Sequence, residues 1–242
     1  PYFDLSNAQL VESEEGATIE EGSVTFGTKT VLIGKEAKGI KYTYESIMWN
    51  TLDLVEVYFR DFGRRLGARL NNKAVLNLIN GEQVNLSENA AVIGVENTTN
   101  KFTYEDLVRV AIRFSQLGRT LTTIVANETT AKRFMLLPEV KENQFNGQPI
   151  VRVQLKNPLP SYINVFISPK IPANQYLLVD DGMAQVQLTA QPLMLETEKI
   201  VSNQIQGTCA SIYTGFAMVY RDTRVIVDES IAYSGNQFPA WM

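Results

Sequence analysis

The 242-residue sequence predicts an α+β fold. Three observations carry this. Asn50 to Gly81 repeats apolar residues at the period of one long helix, Thr103 to Gln116 does so over a shorter one, and the last third of the chain alternates apolar and polar residues as strands do. A long hairpin and the long helix come first, and a mixed α/β unit occupies the middle.

Residues 1–22 lack periodicity. They carry Glu12, Glu14, Glu15, Glu20 and Glu21, with no basic residue before Lys29, and read as an extended acidic arm. The first residue, Pro1, fits either a trimmed initiator or a cut precursor. Ser23 to Tyr44 follows as SVTFGTKTVLIGKEAKGIKYTY. Val24 and Phe26 alternate with polar neighbours, as do Ile40, Tyr42 and Tyr44. Gly34 to Ala37 interrupts the run, so the segment predicts a long hairpin. Lys29, Lys35, Lys38 and Lys41 make it basic, and its second face holds few apolar residues. A two-stranded hairpin this lean is marginal in water and points to a partner.

In the long helix Val55, Phe59, Phe62, Leu66, Leu70, Ala74 and Leu78 form the apolar stripe. Asn50 is the expected N-cap, and Gly81 the residue that ends the helix. Glu56 with Arg60, and Asp61 with Arg65, are favourable i,i+4 pairs. Arg60, Arg64, Arg65, Arg69 and Lys73 spread over one broad side, which suits either a plain solvated face or nonspecific apposition to DNA phosphates. Thr103 with Asp106 has the spacing of a capping box, and Gly118 closes that helix. Leu121–Ala126 is a strand, Asn127 caps a short helix that stops before Pro138, and the remaining strands are Ile150–Leu155, Ile163–Ser168, Leu193–Val201 and Ser211–Asp228.

QYLLVDDGMAQVQL, residues 175–188, sets two carboxylates side by side between strand-forming runs. An Asp-Gly pair in that position signals a hairpin turn, since glycine takes the backbone angles a tight turn needs. Asp180 and Asp181 therefore read as turn residues rather than catalytic or metal-binding acids. Glu196 and Glu198, two apart in a strand, share a face and are the remaining carboxylate pair, either solvated or of interest for hydrolytic chemistry.

Composition excludes several classes. Lys plus Arg is 22 against 26 for Asp plus Glu, so the net charge of −4 gives no general pull toward nucleic acid, while a local patch stays open. The absence of histidine removes Ser-His and Cys-His nucleophile pairs and most zinc sites. No phosphate-binding glycine loop, membrane-length apolar run or signal-peptide layout occurs. The single cysteine, Cys209, cannot form an internal disulfide, reads as a small buried strand residue, and fits a reducing, intracellular origin. No catalytic residue, cofactor or metal site is predicted.

The order of parts resembles a known family. An acidic arm, an extended hairpin, KGIKYTYESIMWNTLDLVEVYFRDFGRRLGARLNNKAVLNLINGEQ as a long helix, a central unit ending in YLLVDDGMAQVQL and a closing GFAMVYRDTRVIVD strand are similar to the major capsid proteins of tailed bacteriophages, the Hong Kong 97-like capsid fold. The resemblance runs from about Ser23 to Asp228. It implies an N-terminal arm at 1–22 and an extended loop at 23–44 lying across a neighbouring subunit. It further implies a peripheral domain at 45–102 with a spine helix, an axial domain at 103–190, and return strands and tail of the peripheral domain at 191–242. It implies self-assembly into pentamers and hexamers that form an icosahedral capsid around double-stranded DNA. The shell would be assembled in the host cytoplasm, with scaffolding, portal and decoration proteins as further partners and no membrane.

On that resemblance Lys29, Lys35, Lys38 and Lys41 are intersubunit contacts, with Glu12, Glu14 and Glu15 of an arm as their complement. Arg60, Arg64, Arg65, Arg69 and Lys73 are then the DNA-facing residues. The lysine, asparagine and glutamate of the isopeptide crosslink found in some members match no positions here, so no crosslink is assigned. Two alternatives stand beside this reading. One is an encapsulin-type nanocompartment shell, whose cargo-binding N-terminal helix has no counterpart in the acidic residues 1–22. The other is a carboxylate-based hydrolase built on Glu196 and Glu198.

Overall fold

The structure is a computed structural model, which describes residues 2–4, 25–27, 31–49, 54–81, 89–96, 101–138, 140, 163–235 and 238–239. The chain divides into two units, Pro1–Val31 and Leu32–Met242. In the first, β1 (Tyr2–Asp4) pairs antiparallel with β2 (Thr25–Gly27).

The second unit holds two sheets. Its elements are β3 (Gly34–Thr43), α1 (Tyr44–Trp49), α2 (Leu54–Asn80), β4 (Ala91–Val95), α3 (Tyr104–Gln116), β5 (Thr123–Ala126), α4 (Glu128–Met135), β6 (Asn164–Ile167), β7 (Gln175–Val179), β8 (Gln185–Ile200), β9 (Ile205–Met218) and β10 (Arg224–Ala232). A mixed five-stranded sheet runs in the order β4-β10-β7-β5-β6, and a three-stranded antiparallel sheet in the order β3-β9-β8. The mixture of helices and sheets is the α+β class expected.

The five-stranded sheet is apolar on both faces, and strand alternation divides its side chains between two cores. Leu178, Ile124, Val225 and Val227 point to one side, where Leu107, Val110 and Phe114 of α3 and Phe134 of α4 cover them. Leu177, Val179, Val125 and Ile226 point to the other, against Val75 and Leu78 near the end of α2 and Met218 at the end of β9. Each such fully buried side chain contributes about 1.5–3 kcal/mol of transfer free energy.

Short-range signals place the helix ends. Gly81 follows α2 at φ 71°, its N–H donating to Asn77 O at 2.9 Å, and Gly118 follows α3 at φ 70°. The Thr103–Asp106 capping box is formed, with Thr103 N donating to Asp106 Oδ2 at 3.0 Å. Asn127 Oδ1 accepts from Thr129 N at the start of α4. The expected cap Asn50 and the expected strand Ile150–Leu155 lie outside the described residues.

Pairing differs from expectation in three places. Among the described residues, Ser23–Tyr44 does not close as a hairpin: Thr25–Gly27 pairs with β1, and Gly34–Thr43 runs unbroken along β9 from Gly34↔Thr214 to Thr43↔Ile205. Gly34–Ala37 is strand, because β9 offers a longer and better buried partner than a two-stranded hairpin would. The Asp180-Asp181-Gly182 segment is a turn, with Met183 N donating to Asp180 O at 3.4 Å, but it does not join a hairpin. It carries the chain from β7 in one sheet to β8 in the other. Ser211–Asp228 is likewise two strands, split by a 3-10 turn at Arg221–Thr223 as the chain crosses back. Leu193–Val201 is the later part of the continuous β8.

Candidate assembly surfaces

The three-stranded sheet positions the charged strand residues. Residues opposite one another across a ladder point to the same side. Ala210, Thr214 and Met218 of β9 are buried, and Met218 packs with Val75 and Leu78, so the even-numbered β9 residues face α2. Glu36, Lys38 and Ile40 on β3 stand opposite Ile212, Ala210 and Thr208 and share that side. Lys35, Ala37, Gly39 and Lys41, opposite Tyr213, Ser211, Cys209 and Gly207, occupy the open face. The expected contact lysines thus divide: Lys35 and Lys41 are exposed on the open face, Lys38 is exposed on the α2 side, and Lys29 lies outside the described residues. Glu12, Glu14 and Glu15 also lie outside them. The Lys35 ammonium stands 5.3 Å from the centre of the Tyr213 ring, and a hydrogen bond with that phenol holds its pKa above the usual lysine value.

Glu196 and Glu198 of β8 oppose Cys209 and Gly207, so they share the open face as expected. Both are exposed, on a sheet surface rather than in a cleft. Cys209 between them and β3 is half-buried, less covered than predicted, because it lies on the side of the sheet away from α2.

The basic residues of α2 are tied down by acids. Arg60 pairs with Glu56 at 2.6 Å, while Arg64 at 2.8 Å and Arg65 at 2.6 Å share Asp61. Arg69 at 2.6 Å and Lys73 both reach across to Glu36 on β3. Burial works against ionisation of Glu36, but Lys73 and Arg69 outweigh it and hold its pKa below the ordinary value. A hydrogen bond from Arg64, joined by Arg65, lowers that of Asp61 despite some desolvation. Five cations therefore meet three carboxylates, leaving a modestly positive, exposed face.

Asp180 and Asp181 serve their turn. Asp180 is buried, accepts from Thr120 N at 3.2 Å and donates its own N–H to Thr223 O at 2.9 Å. Asp181 accepts from Thr122 Oγ1 at 2.7 Å and Thr123 Oγ1 at 3.3 Å. Beside them the Arg119 guanidinium forms a fork on Asp222, both bonds 3.2 Å, and lies over the Tyr220 ring at 4.3 Å. That pair joins residues 103 positions apart, and neither i,i+4 spacing nor a motif announces it. Glu36 was equally hidden, since in sequence it is one acid within a lysine-rich strand.

Among the described residues no group of acids, cysteines or histidines could hold a metal ion. A depression of about 380 Å³ lies along α3, lined by Glu96, Tyr104, Glu105, Val108, Arg109 and Ile112, with Glu96 paired to Arg109 at 3.0 Å. Exposed apolar side chains gather on one strand and beside another. Along β8 they are Val186, Leu188, Leu193, Met194 and Leu195, and just before β3 they are Leu32 and Ile33.

Comparison with known proteins bears on these surfaces. No curated protein sequence matches the chain. Solved structures do. The holo-SrpI encapsulin complex of Synechococcus elongatus PCC 7942 matches at TM-score 0.58 and 15% identity, over 88% of this chain and 80% of that one. The capsid of Cyanophage P-SCSP1u matches at TM-score 0.63 and 11% identity, over 91% and 80%. A structure of Mycobacterium phage Che8 matches at TM-score 0.59 and 9% identity, over 94% and 80%. At these identities the likeness establishes the fold, the Hong Kong 97-like capsid fold. The family model described as phage capsid protein matches residues 27–228, most of the chain and both sheets of the second unit. This chain therefore belongs to the phage capsid protein family and is a capsid shell subunit.

Proposed function

We propose that the chain assembles into pentamers and hexamers that close an icosahedral shell around the double-stranded DNA of a tailed phage. Assembly takes place in the host cytoplasm, and the protein performs no chemical step of its own. Scaffolding, portal and decoration proteins are the further partners of this reading. Residues 1–22 act as an arm, 23–44 as a loop across a neighbour, 45–102 and 191–242 as the peripheral domain, and 103–190 as the axial domain.

The observation that carries the reading is β8. It is a sixteen-residue edge strand exposed along nearly its whole length, with Leu193, Met194 and Leu195 between 40% and 58% exposed. Soluble monomers blunt or cover such edges, and neighbours in an assembly bury them. Lys35, Lys38 and Lys41 are intersubunit contacts in this scheme. Arg60, Arg64, Arg65, Arg69 and Lys73 face DNA through the charge left over after their own acids are paired. DNA apposition on such a face is weak, nonspecific and salt-sensitive.

The test is particle size, by light scattering on a gel-filtration peak with negative-stain microscopy. Hollow shells, or rings of five and six, are expected; a monomer that persists at high concentration, with and without a co-expressed scaffold, would refute the reading. Particles filled with protein cargo and free of nucleic acid would favour a nanocompartment instead. Replacing Arg60, Arg64 and Arg65 with Gln should lower the salt dependence of DNA binding by about one unit of log–log slope for each phosphate that is no longer neutralised.

A further inference from the structure

On the open face of the three-stranded sheet, charge is segregated by edge. β3 is one edge strand and β8 the other, with β9 between them. The β3 side carries Lys35 and Lys41 and no acid, since Glu36 is turned toward α2 and occupied by Arg69 and Lys73. The β8 side carries Glu196 and Glu198 and no base, since Lys199 stands opposite Gln206 on the α2 side. Lys41 and Glu198 have no ion-pair partner among the described residues, while Glu196 feels the Lys35 charge across the same sheet; every basic residue from Arg60 to Lys73 has an ion-pair partner. Within one copy the two edges lie about 10 Å apart, two strand spacings.

The edges also correspond level by level. Lys41, Gly207 and Glu198 form one row across the sheet, and Gly39, Cys209 and Glu196 form the next. Farther along, Gly215 is the ladder partner of Leu188 and lies against Leu32 and Ile33, which are 62% and 44% exposed. The β8 edge therefore has its acids at one end and apolar residues at the other, and the β3 edge has Lys41 at the matching charged end, Leu32 and Ile33 at the apolar end, and Lys35 between them. β3 and β8 both run antiparallel to β9 and so parallel to each other.

We propose that copies of this chain meet edge to edge through this sheet. The β3 edge of one copy docks on the β8 edge of the next, with Lys41 facing Glu198 and Glu196, and Leu32 and Ile33 facing Leu188 and Val186. The contact deepens the assembly reading above and rests on it. It is head-to-tail, using two different patches, and such contacts close into rings when the rotation between successive copies divides a full turn. Side chains rather than a continuous ladder make it, because Pro192 and register shifts around Gln191 interrupt the hydrogen-bonding edge of β8. Like charges across an interface are costly and opposite charges set the register, so these residues choose the neighbour's orientation.

The test is charge reversal in the full chain, read by gel filtration and negative-stain microscopy. Lys35→Glu with Lys41→Glu, or Glu196→Lys with Glu198→Lys, should each cut the assembled fraction about tenfold or more. All four reversals in one chain should restore it. An equal mixture of the two double variants should form only even-numbered rings, giving six-membered and not five-membered rings, because each complementary contact then needs alternating copies. Lys199→Glu reverses one charge on the other face of the same sheet and should leave assembly intact. If a double variant melts early, the neutral changes Lys41→Gln and Glu198→Gln replace it and should abolish the salt sensitivity of assembly.

Wild-type assembly with unaffected double variants overturns this contact alone, and so does failure of the four-fold reversal. Loss of assembly on changing Glu12, Glu14 and Glu15 to Gln, with the β8 reversals silent, assigns the lysines to the arm and also overturns it. A wild-type chain that never assembles overturns the assembly reading and this contact together.

Discussion

Asp106 offers a sharp test of how the α3 side of the fold is held. Its carboxylate is fully buried and accepts four hydrogen bonds, from Glu96 N at 3.1 Å, Thr103 N at 3.0 Å, Thr103 Oγ1 at 2.9 Å and Arg109 Nη2 at 2.8 Å. Asp106→Asn keeps the shape and removes the charge. The best amide orientation leaves its oxygen on Glu96 N and Arg109 and turns its NH₂ toward Thr103. The Thr103 hydroxyl can reverse and accept, but the Thr103 N–H is left facing a donor. An unmet buried donor costs about 1–3 kcal/mol. Losing one partner of a buried ion pair costs about 3–5 kcal/mol when no other remains. Arg109 keeps Glu96 at 3.0 Å, Gly94 O at 3.0 Å and the Tyr233 ring at 3.7 Å, so the second term is largely cushioned. The expected loss is about 3 kcal/mol, or roughly 6–12 °C in melting temperature for a chain of this size. Urea denaturation of unassembled subunits at neutral pH measures it, with Thr103→Ala as a reference costing about 1 kcal/mol. Asp106→Asn and Arg109→Met should be non-additive because the two side chains share a contact. A loss below about 1 kcal/mol for Asp106→Asn would refute the hub account.

Other positions follow the same logic. A Cβ on Gly94 would sit 2.4 Å from Ile231 O and 2.7 Å from Ala232 C, so Gly94→Ala should unfold or strongly destabilise the subunit; Gly67, with open space around it in α2, should gain about 0.5–1 kcal/mol as Ala in the same melting assay. Glu36→Gln releases Arg69 and Lys73 from β3 and should cost about 1 kcal/mol, a figure kept small because Arg69 is two-thirds exposed and screened, as urea midpoints will show. Burial opposes ionisation of Asp228, yet hydrogen bonds from Ser230 and Gln175 outweigh it and lower its pKa below the ordinary value. Its contribution is then full above the unfolded pKa of about 3.9 and drains as pH falls through the lower folded value. Asp228→Asn should accordingly flatten the acid limb of urea midpoints measured from neutral pH downward.

Local chemistry in the sequence was sufficient for the bodies of α2, α3 and α4 and for several of their ends, though not for the separate short helix α1. Gly81 and Gly118 end α2 and α3 in left-handed backbone, the Thr103–Asp106 box opens α3, and Asn127 opens α4, because each signal acts within a turn of the residues it serves. The Asp180-Gly182 turn was legible for the same reason. Its destination was not: the sequence makes β7 and β8 look like partners, and tertiary packing assigns them to separate sheets. The break at Arg221–Thr223 and the partnership of β3 with β9 are decisions of the same kind. Strand pairing joins residues far apart in the chain, and register and burial select among partners whose local propensities are alike. The candidate surfaces divide in the same way. Lysines along β3 and arginines along α2 are visible as charge in the sequence. Only the folded chain turns Glu36 toward Arg69 and Lys73 while leaving Lys41 and Glu198 on opposite edges of one open face, because the pleat sends alternate residues to opposite sides and α2 covers only one of them.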